Sequence, residues 1–258
     1  MGWMAAADRP LVLGLCGAQG SGKSTLAAAL AERLARRGLR IAILSIDDLY
    51  LPGAKRQELA DTIHPLLRTR GVPGTHDVAR GCAILDAVHA GIAAPLPRFD
   101  KARDEQAPPD QWDRIDGPVD LLIFEGWCVG ARAQGDAALA DPCNALERDE
   151  DEAGLWRRYV NDRLSGSYTD LFARIDRLAL LAAPGFAIVR CWRGEQETAL
   201  RESLSVTGRD ETGVMDDAAL DRFVQHYERL TRHILADMPG YADLVLPLDS
   251  HRQPRSSP

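Results

Sequence analysis

The sequence predicts an α/β fold built on a doubly wound, mostly parallel sheet, and three observations carry that prediction. First, Gly17-Ala18-Gln19-Gly20-Ser21-Gly22-Lys23-Ser24 satisfies G-x-x-x-x-G-K-[ST] without mismatch, and it lies between an apolar run and a helically periodic one. Second, further apolar runs of strand length alternate with helical patterns, as parallel strands joined by helical crossovers require. Third, two of those runs end on carboxylates, Asp47-Asp48 and Glu125. Open sheets of this kind gather ligands beyond the carboxyl ends of their strands, so these acids and the glycine loop belong to one crevice.

Length and composition set the frame. With 258 residues the chain can bury one full core, and a single domain over 1–249 is expected. A net charge of -7 argues against a nucleic-acid surface. Cys16, Cys82, Cys128, Cys143 and Cys191 are scattered, odd in number and free of C-x-x-C spacing, which points to a reducing compartment without a zinc site. Met1 to Pro10 lacks the basic-then-apolar character of a secretory leader, and no run is long enough to span a membrane. The expected location is cytoplasmic, with no nucleic-acid or membrane partner.

Taken in order, Leu11 to Leu15 reads as the first, buried strand. After the glycine loop, Leu26, Ala29, Leu30 and Leu34 fall at helical spacing, and Gly38 supplies a stop. Ile41 to Ile46 is the second strand and runs into Asp47-Asp48-Leu49-Tyr50. From Pro52 to Pro118 repeated prolines break the pattern; this stretch reads as an irregular substrate-binding insertion with a helix near Val78 to Ala90. Val119 to Phe124 is a third strand, apolar enough for the sheet centre, and ends at Glu125-Gly126-Trp127. The acidic stretch Glu147 to Glu152 reads as a solvated turn or helix start, Trp156 to Leu164 as a helix, and Leu178 to Leu181 as the fourth strand. Phe186 to Leu204 is compatible with a helix inside an arginine-bearing lid at about 186–214. Leu220, Phe223, Val224, Tyr227, Leu230, Ile234 and Met238 trace the buried stripe of the last helix, leaving His226 and His233 outside. Leu244 to Leu248 is the last strand, and 250–258 reads as a disordered tail.

The chemistry follows from residue types. Glycines at positive φ let successive backbone N–H groups converge on phosphate oxygens, at a helix N-terminus that itself favours an anion. Gly17, Ala18, Gln19, Gly20, Ser21, Gly22, Lys23, Ser24 and the following Thr25 form the nucleotide-binding set, with Lys23 as point charge and the Ser24 hydroxyl as a Mg²⁺ ligand. Phosphoryl transfer asks a protein for positioning and charge stabilisation. A strand-end carboxylate can take the proton of an attacking hydroxyl; Asp47 is the candidate base, with adjacent Asp48 as the alternative base, and Asp47 is also a candidate metal ligand. Glu125 is the candidate metal- or water-holding acid. Arg193, Arg201 and Arg209 are candidate donors to the transferring phosphoryl group. Arg70, His76, Asp77, Arg98 and Lys101 from the insertion, with Asp48, Tyr50 and Trp127 beside the strand ends, form the candidate acceptor set. Such a density of cations suits an acidic acceptor.

The segments GLCGAQGSGKST, SIDDLYL, HPLLRTRGVPGTHDV, PRFDKARD, IFEGWCVG and WRGEQETALR, in this order, resemble the D-glycerate 3-kinase family, within the phosphoribulokinase and uridine kinase group of P-loop kinases. The likeness spans roughly residues 11 to 252. It implies a P-loop NTPase fold with five parallel strands, ATP and Mg²⁺ as cosubstrates, and transfer of the γ-phosphoryl group to a primary hydroxyl. It also implies Asp47 as base, Glu125 as the E-G acid, and Arg201 and Arg209 as lid arginines, Arg209 toward the nucleotide. One departure bears on the acceptor: plant-type members follow the PRYDKS-like segment with G-x-G-D-R, whereas here Arg103 leads into Asp104-Glu105-Gln106-Ala107-Pro108-Pro109. The expected activity is a small-molecule kinase acting on a hydroxy acid such as D-glycerate. A kinase for a nucleoside, pantothenate or sugar, and an ATPase coupled to a partner, are the alternatives.

Overall fold

The computed structural model describes Trp3, residues 9–207 and residues 215–255, the side chains at 199–207 excepted. Its centre is a parallel sheet of five strands: β1 (Leu11–Gly17), β2 (Ile41–Ser45), β7 (Leu121–Gly126), β8 (Arg177–Ala182) and β9 (Leu244–Pro247), in the order β2-β7-β1-β8-β9. β1 and β7 are buried along their whole length, because both lie between two neighbours and under helices on both faces. The third apolar run is therefore interior, but the exact middle belongs to β1. Two apolar clusters, one on each face, form the core: one around Leu44, Phe124, Tyr168 and Leu171, the other around Leu13, Ile123, Val189 and Trp192.

Register decides what faces the crevice. Leu15 and Ser45 both pair with Glu125 across the sheet, so the phosphate loop, Asp47 and Trp127 all emerge just past one line of residues. Helix α1 (Lys23–Ala35) starts at the loop itself. The sheet is completed by α4 (Ala145–Glu150), α5 (Leu155–Ser165), α6 (Ser167–Phe172), α7 (Ala187–Thr207) and α8 (Asp217–Asp237).

The insertion is more regular than its prolines suggest. It holds α2 (Gly53–Thr62), α3 (Val78–His89) and two small antiparallel pairs, β3 (Ala94–Leu96) with β6 (Asp113–Ile115) and β4 (Phe99–Asp100) with β5 (Glu105–Gln106). Helix α2 escapes sequence reading because it has almost no apolar stripe; its anchor is the buried Arg56. That guanidinium donates to the carbonyls of Leu51 at 3.1 Å, Arg68 at 2.8 Å and Asp104 at 2.8 Å, tying three strands of irregular chain together.

Other expectations are corrected in the same way. Glu147 starts a helix as expected but is fully buried, paired with Arg229, and Asp151 is buried against Arg157. His226 is buried edge-on to Trp156, and His233 is half-buried; the stripe of α8 is wider than its aliphatic residues mark because α4 and α5 cover its flank. Residues 250–255 form an ordered turn rather than a loose tail: Trp192 Nε1 donates to the Ser250 carbonyl at 2.8 Å, and Leu248 and Pro254 form a β-bridge. All five cysteines are free. No described helix is long and apolar enough to cross a membrane.

Candidate active site

Beyond the carboxyl ends of β1, β2 and β7 lies a cleft of about 220 Å³. Gln19, Gly20, Lys23 and Ser24 line one part of it; Asp47, Tyr50, Arg70, Lys101, Glu125, Trp127 and Arg193 complete the wall. The phosphate loop, Asp47 and Glu125 meet here because each sits at or just past a strand end, while Arg193, Phe223 and Tyr227 reach in from α7 and α8.

The phosphate loop turns sharply: Gly20 has φ 75° and Gly22 φ 86°, values that side chains with a Cβ rarely adopt. Gly20 is doubly constrained, since a Cβ there would meet the Trp192 Cβ at 2.6 Å. Its carbonyl accepts from Arg252 Nε at 2.6 Å, and the Arg252 guanidinium also reaches Glu195 and stands 5.2 Å from the centre of the Trp192 ring. The ordered C-terminal turn and the start of α7 thus hold the loop from behind. Sequence reading missed Arg252 because only the tertiary fold brings it 232 positions back to Gly20. Ala18 is buried and accepts the turn bond from Ser21 N, while Thr25 is exposed on α1.

Ser24 Oγ donates to Glu125 Oε1 at 3.0 Å. Glu125 is 5% exposed, and its Oε2 is buried with no hydrogen-bond partner among the described residues. A buried carboxylate oxygen left unmatched is costly unless a cation completes it. Two hard oxygen donors beside a phosphate cradle are a donor set that fits Mg²⁺, which takes few protein ligands and keeps water and phosphate for the rest.

Asp47 and Asp48 separate completely. Asp47 faces the cleft: Oδ1 accepts from the Tyr50 hydroxyl at 2.7 Å and Oδ2 from Lys101 Nζ at 2.7 Å. Burial pushes its pKa up, but Lys101, then Lys23 and the Tyr50 hydroxyl outweigh that and bring it down to about 2. Burial holds the Tyr50 phenol well above its ordinary pKa, so Tyr50 remains an O–H donor. Asp48 points away, accepting from Arg98 at 2.7 Å and from the Phe99 amide at 3.0 Å; burial raises its pKa against the opposing pull of those two partners.

The acceptor set divides as well. Arg70 and Lys101 line the cleft; Trp127 closes its floor, its Nε1 donating to the Gly71 carbonyl at 2.9 Å and its ring packed edge-on against Tyr227 at 4.9 Å. His76, Asp77 and Arg98 do not reach it. His76 is buried behind Tyr50, stacked on it at 4.8 Å, with Nδ1 at 2.5 Å from the Tyr168 hydroxyl. Burial lowers its pKa to about 4. Asp77 caps α3 by accepting from Arg80 N at 3.0 Å. Arg98 is held between Asp48 and Asp113. These three are motif-bearing yet structural, since the insertion needs polar anchors where it lacks an apolar face. Arg193 lines the cleft from α7 and is paired with the buried Glu197. Arg201 falls within α7 with its side chain outside the described residues, and Arg209 lies outside them altogether.

Similarity to known proteins agrees with this geometry. Residues 2–55 match the family model of the methylmalonyl-CoA mutase-associated GTPase MeaB, a stretch that takes in β1, the phosphate loop, α1 and β2. The chain is 34% identical over 228 residues to the kinase mug58 of Schizosaccharomyces pombe, covering 85% of this chain and 79% of that one. It is 27% identical over 262 residues to the chloroplastic D-glycerate 3-kinase of Arabidopsis thaliana, covering 95% of this chain and 54%, about half, of the plant protein. The solved D-glycerate 3-kinase of Cryptococcus neoformans shares the fold with a TM-score of 0.75 at 24% identity, over 97% of this chain and 89% of that one. The chain therefore belongs to the P-loop kinase family that includes mug58 and the D-glycerate 3-kinases, and is an ATP-dependent phosphotransferase.

Proposed function

We propose that this kinase transfers the γ-phosphoryl group of ATP to a primary hydroxyl of a small hydroxy acid, with D-glycerate as the acceptor. The observation that carries the reading is one cleft that unites the phosphate-binding Lys23 and the Mg²⁺ donor pair Ser24 and Glu125 with an ionised Asp47 and the cations Arg70 and Lys101. The name of the plant relative points to the same acceptor.

The loop amides and Lys23 hold the donor phosphates. Ser24 and Glu125 would hold Mg²⁺, which supplies charge neutralisation across the β- and γ-phosphates. Asp47 orients the acceptor hydroxyl: Tyr50 and Lys101 fix the carboxylate, and each oxygen keeps a second lone pair for that hydroxyl. With a pKa near 2, Asp47 is a weak base for a free alcohol, so it receives the proton late, as oxygen–phosphorus bonding makes the hydroxyl acidic. Arg70 receives the acceptor's carboxylate, for which a guanidinium is well shaped. Trp127, Phe223 and Tyr227 give the cleft walls that exclude water, limiting wasteful hydrolysis. Arg193, and Arg201 and Arg209 from the lid, add positive charge as the phosphoryl group moves.

The test is ADP release over a panel of D-glycerate, other hydroxy acids, sugars, nucleosides and pantothenate. D-glycerate should give the highest kcat/KM. Turnover that responds to a nucleoside or sugar but to no hydroxy acid would reject the acceptor while leaving the kinase chemistry standing.

A further inference from the structure

Next to the phosphate cleft, and sharing Arg70, Arg193 and Phe223 with it, opens a second cavity of about 650 Å³. Among the described residues its lining holds four arginines, Arg56, Arg68, Arg70 and Arg193, and a single acid, Asp104. Asp104 ends the four-residue turn 101–104 that joins β4 to β5. It stands at φ 54°, in the left-handed region that few residues other than glycine, asparagine and aspartate tolerate. Its carboxylate pairs with Arg70 through one oxygen and with Arg56 at 2.8 Å through the other.

The two arginines are not equivalent. Arg56 is 2% exposed and keeps the carbonyls of Leu51, Arg68 and Asp104 itself when only the Asp104 carboxylate is displaced. The Arg70 side chain is 29% exposed and opens to the cleft; Asp104, 49% exposed, is the one anion paired with it among the described residues, and the Arg70 guanidinium carbon stands 5.4 Å from the centre of the Phe99 ring. The opposite end of the same turn presents Lys101 to Asp47. One four-residue turn thus places a carboxylate on the cation facing the acceptor side and an ammonium on the proton-accepting acid.

Building on the hydroxy-acid reading above, we propose that Asp104 is an intramolecular competitor for the acceptor's carboxylate: it occupies Arg70 in the acceptor-free enzyme and must be displaced, so that it raises the KM for acceptors that carry a carboxylate. An acceptor with a carboxylate replaces the ion pair it breaks. One without a carboxylate leaves Asp104 in place and is indifferent to it. The displaced carboxylate loses little, being half exposed. Where only a fraction of molecules is open to ligand, apparent affinity is lowered by that fraction, and removing the competitor restores it.

The experiment compares wild type with Asp104→Asn and with Asp104→Gly, glycine accepting the positive φ at no cost and so guarding against a misfolded variant. Acceptor KM is measured for D-glycerate and for glycerol, the latter as a competitive inhibitor if it is not turned over. Both variants should lower the D-glycerate KM about three- to tenfold, as expected if the open fraction is about a tenth to a third. Glycerol should bind no more tightly, so the preference for D-glycerate over glycerol should widen by the same factor of about three to ten. An unchanged or raised D-glycerate KM in both variants, or equal shifts for both ligands, would overturn the role of Asp104 while the acceptor assignment stands. Failure of wild type to phosphorylate any hydroxy acid would remove both.

Discussion

Asparagine at position 47 is the sharpest test of the catalytic arrangement, because the neighbouring aspartate offers an internal control with a different expected outcome. In Asp47→Asn the amide oxygen can still accept from the Tyr50 hydroxyl, while the amide nitrogen faces Lys101 Nζ and cannot accept from it. The lost Lys101 pair is worth little to stability, about 0–1 kcal/mol, because Lys101 is largely exposed. The lost proton acceptor should lower kcat by about 10²- to 10⁴-fold. Asp48→Asn reverses the pattern. Its oxygen can serve only one of the Phe99 amide and Arg98, and the new amide group then opposes the other as a second donor. In a site where Asp48 is 15% exposed, that should cost about 2–3 kcal/mol of stability. Steady-state kinetics and urea unfolding of both variants measure both quantities. Near-normal turnover in Asp47→Asn, or a loss of turnover in Asp48→Asn at full stability, would refute the assignment.

Glu125→Gln keeps an acceptor for the Ser24 hydroxyl but loses the charge, so the Mg²⁺ concentration for half-maximal activity should rise about 10- to 100-fold; an unchanged Mg²⁺ titration would place the metal elsewhere. Arg252→Ala removes a charged donor from the Gly20 carbonyl and should cost about 1–3 kcal/mol, with a raised ATP KM; unaltered ATP affinity and melting temperature would show the phosphate loop to be self-supporting. His76 and His226 are both held at a pKa of about 4 by burial, against an ordinary 6.5. The unfolded chain therefore binds protons that the folded chain refuses, and stability falls as pH drops from 6.5 toward 4, by about 2 kcal/mol per histidine at pH 5. Urea unfolding at pH 7 and pH 5 measures this, and a flat profile across that window would contradict the buried, neutral state of both rings.

Several elements declare themselves in the sequence because local chemistry specifies them. The glycine loop requires positive φ at Gly20 and Gly22, a buried strand requires an unbroken apolar run, and an amphipathic helix such as α8 carries its stripe on its face. From these the order of strands and helices, the parallel sheet and the convergence of the loop with Asp47 and Glu125 could be read in advance. Helix α2 could not, since it is held by the hydrogen bonds of Arg56 rather than by an apolar stripe, and periodicity records only the latter.

The tertiary structure alone decided the division of labour among similar residues. Asp47 and Asp48 are chemically identical and adjacent; only the direction of each carboxylate, toward Tyr50 and Lys101 or toward Arg98 and Phe99, separates cleft from scaffold. The same holds for Arg70 against Arg98, and for His76, whose motif marks the packing behind Tyr50 instead of the cleft. Arg252 and Asp104 were invisible for a related reason: their roles are set by partners 232 and 34 positions away. Sequence fixes what a segment is when the cause is local, in backbone conformation or periodic burial. Which charge meets which depends on long-range closure of the chain, and that is settled only when the strands are in register and the insertion is folded over their ends.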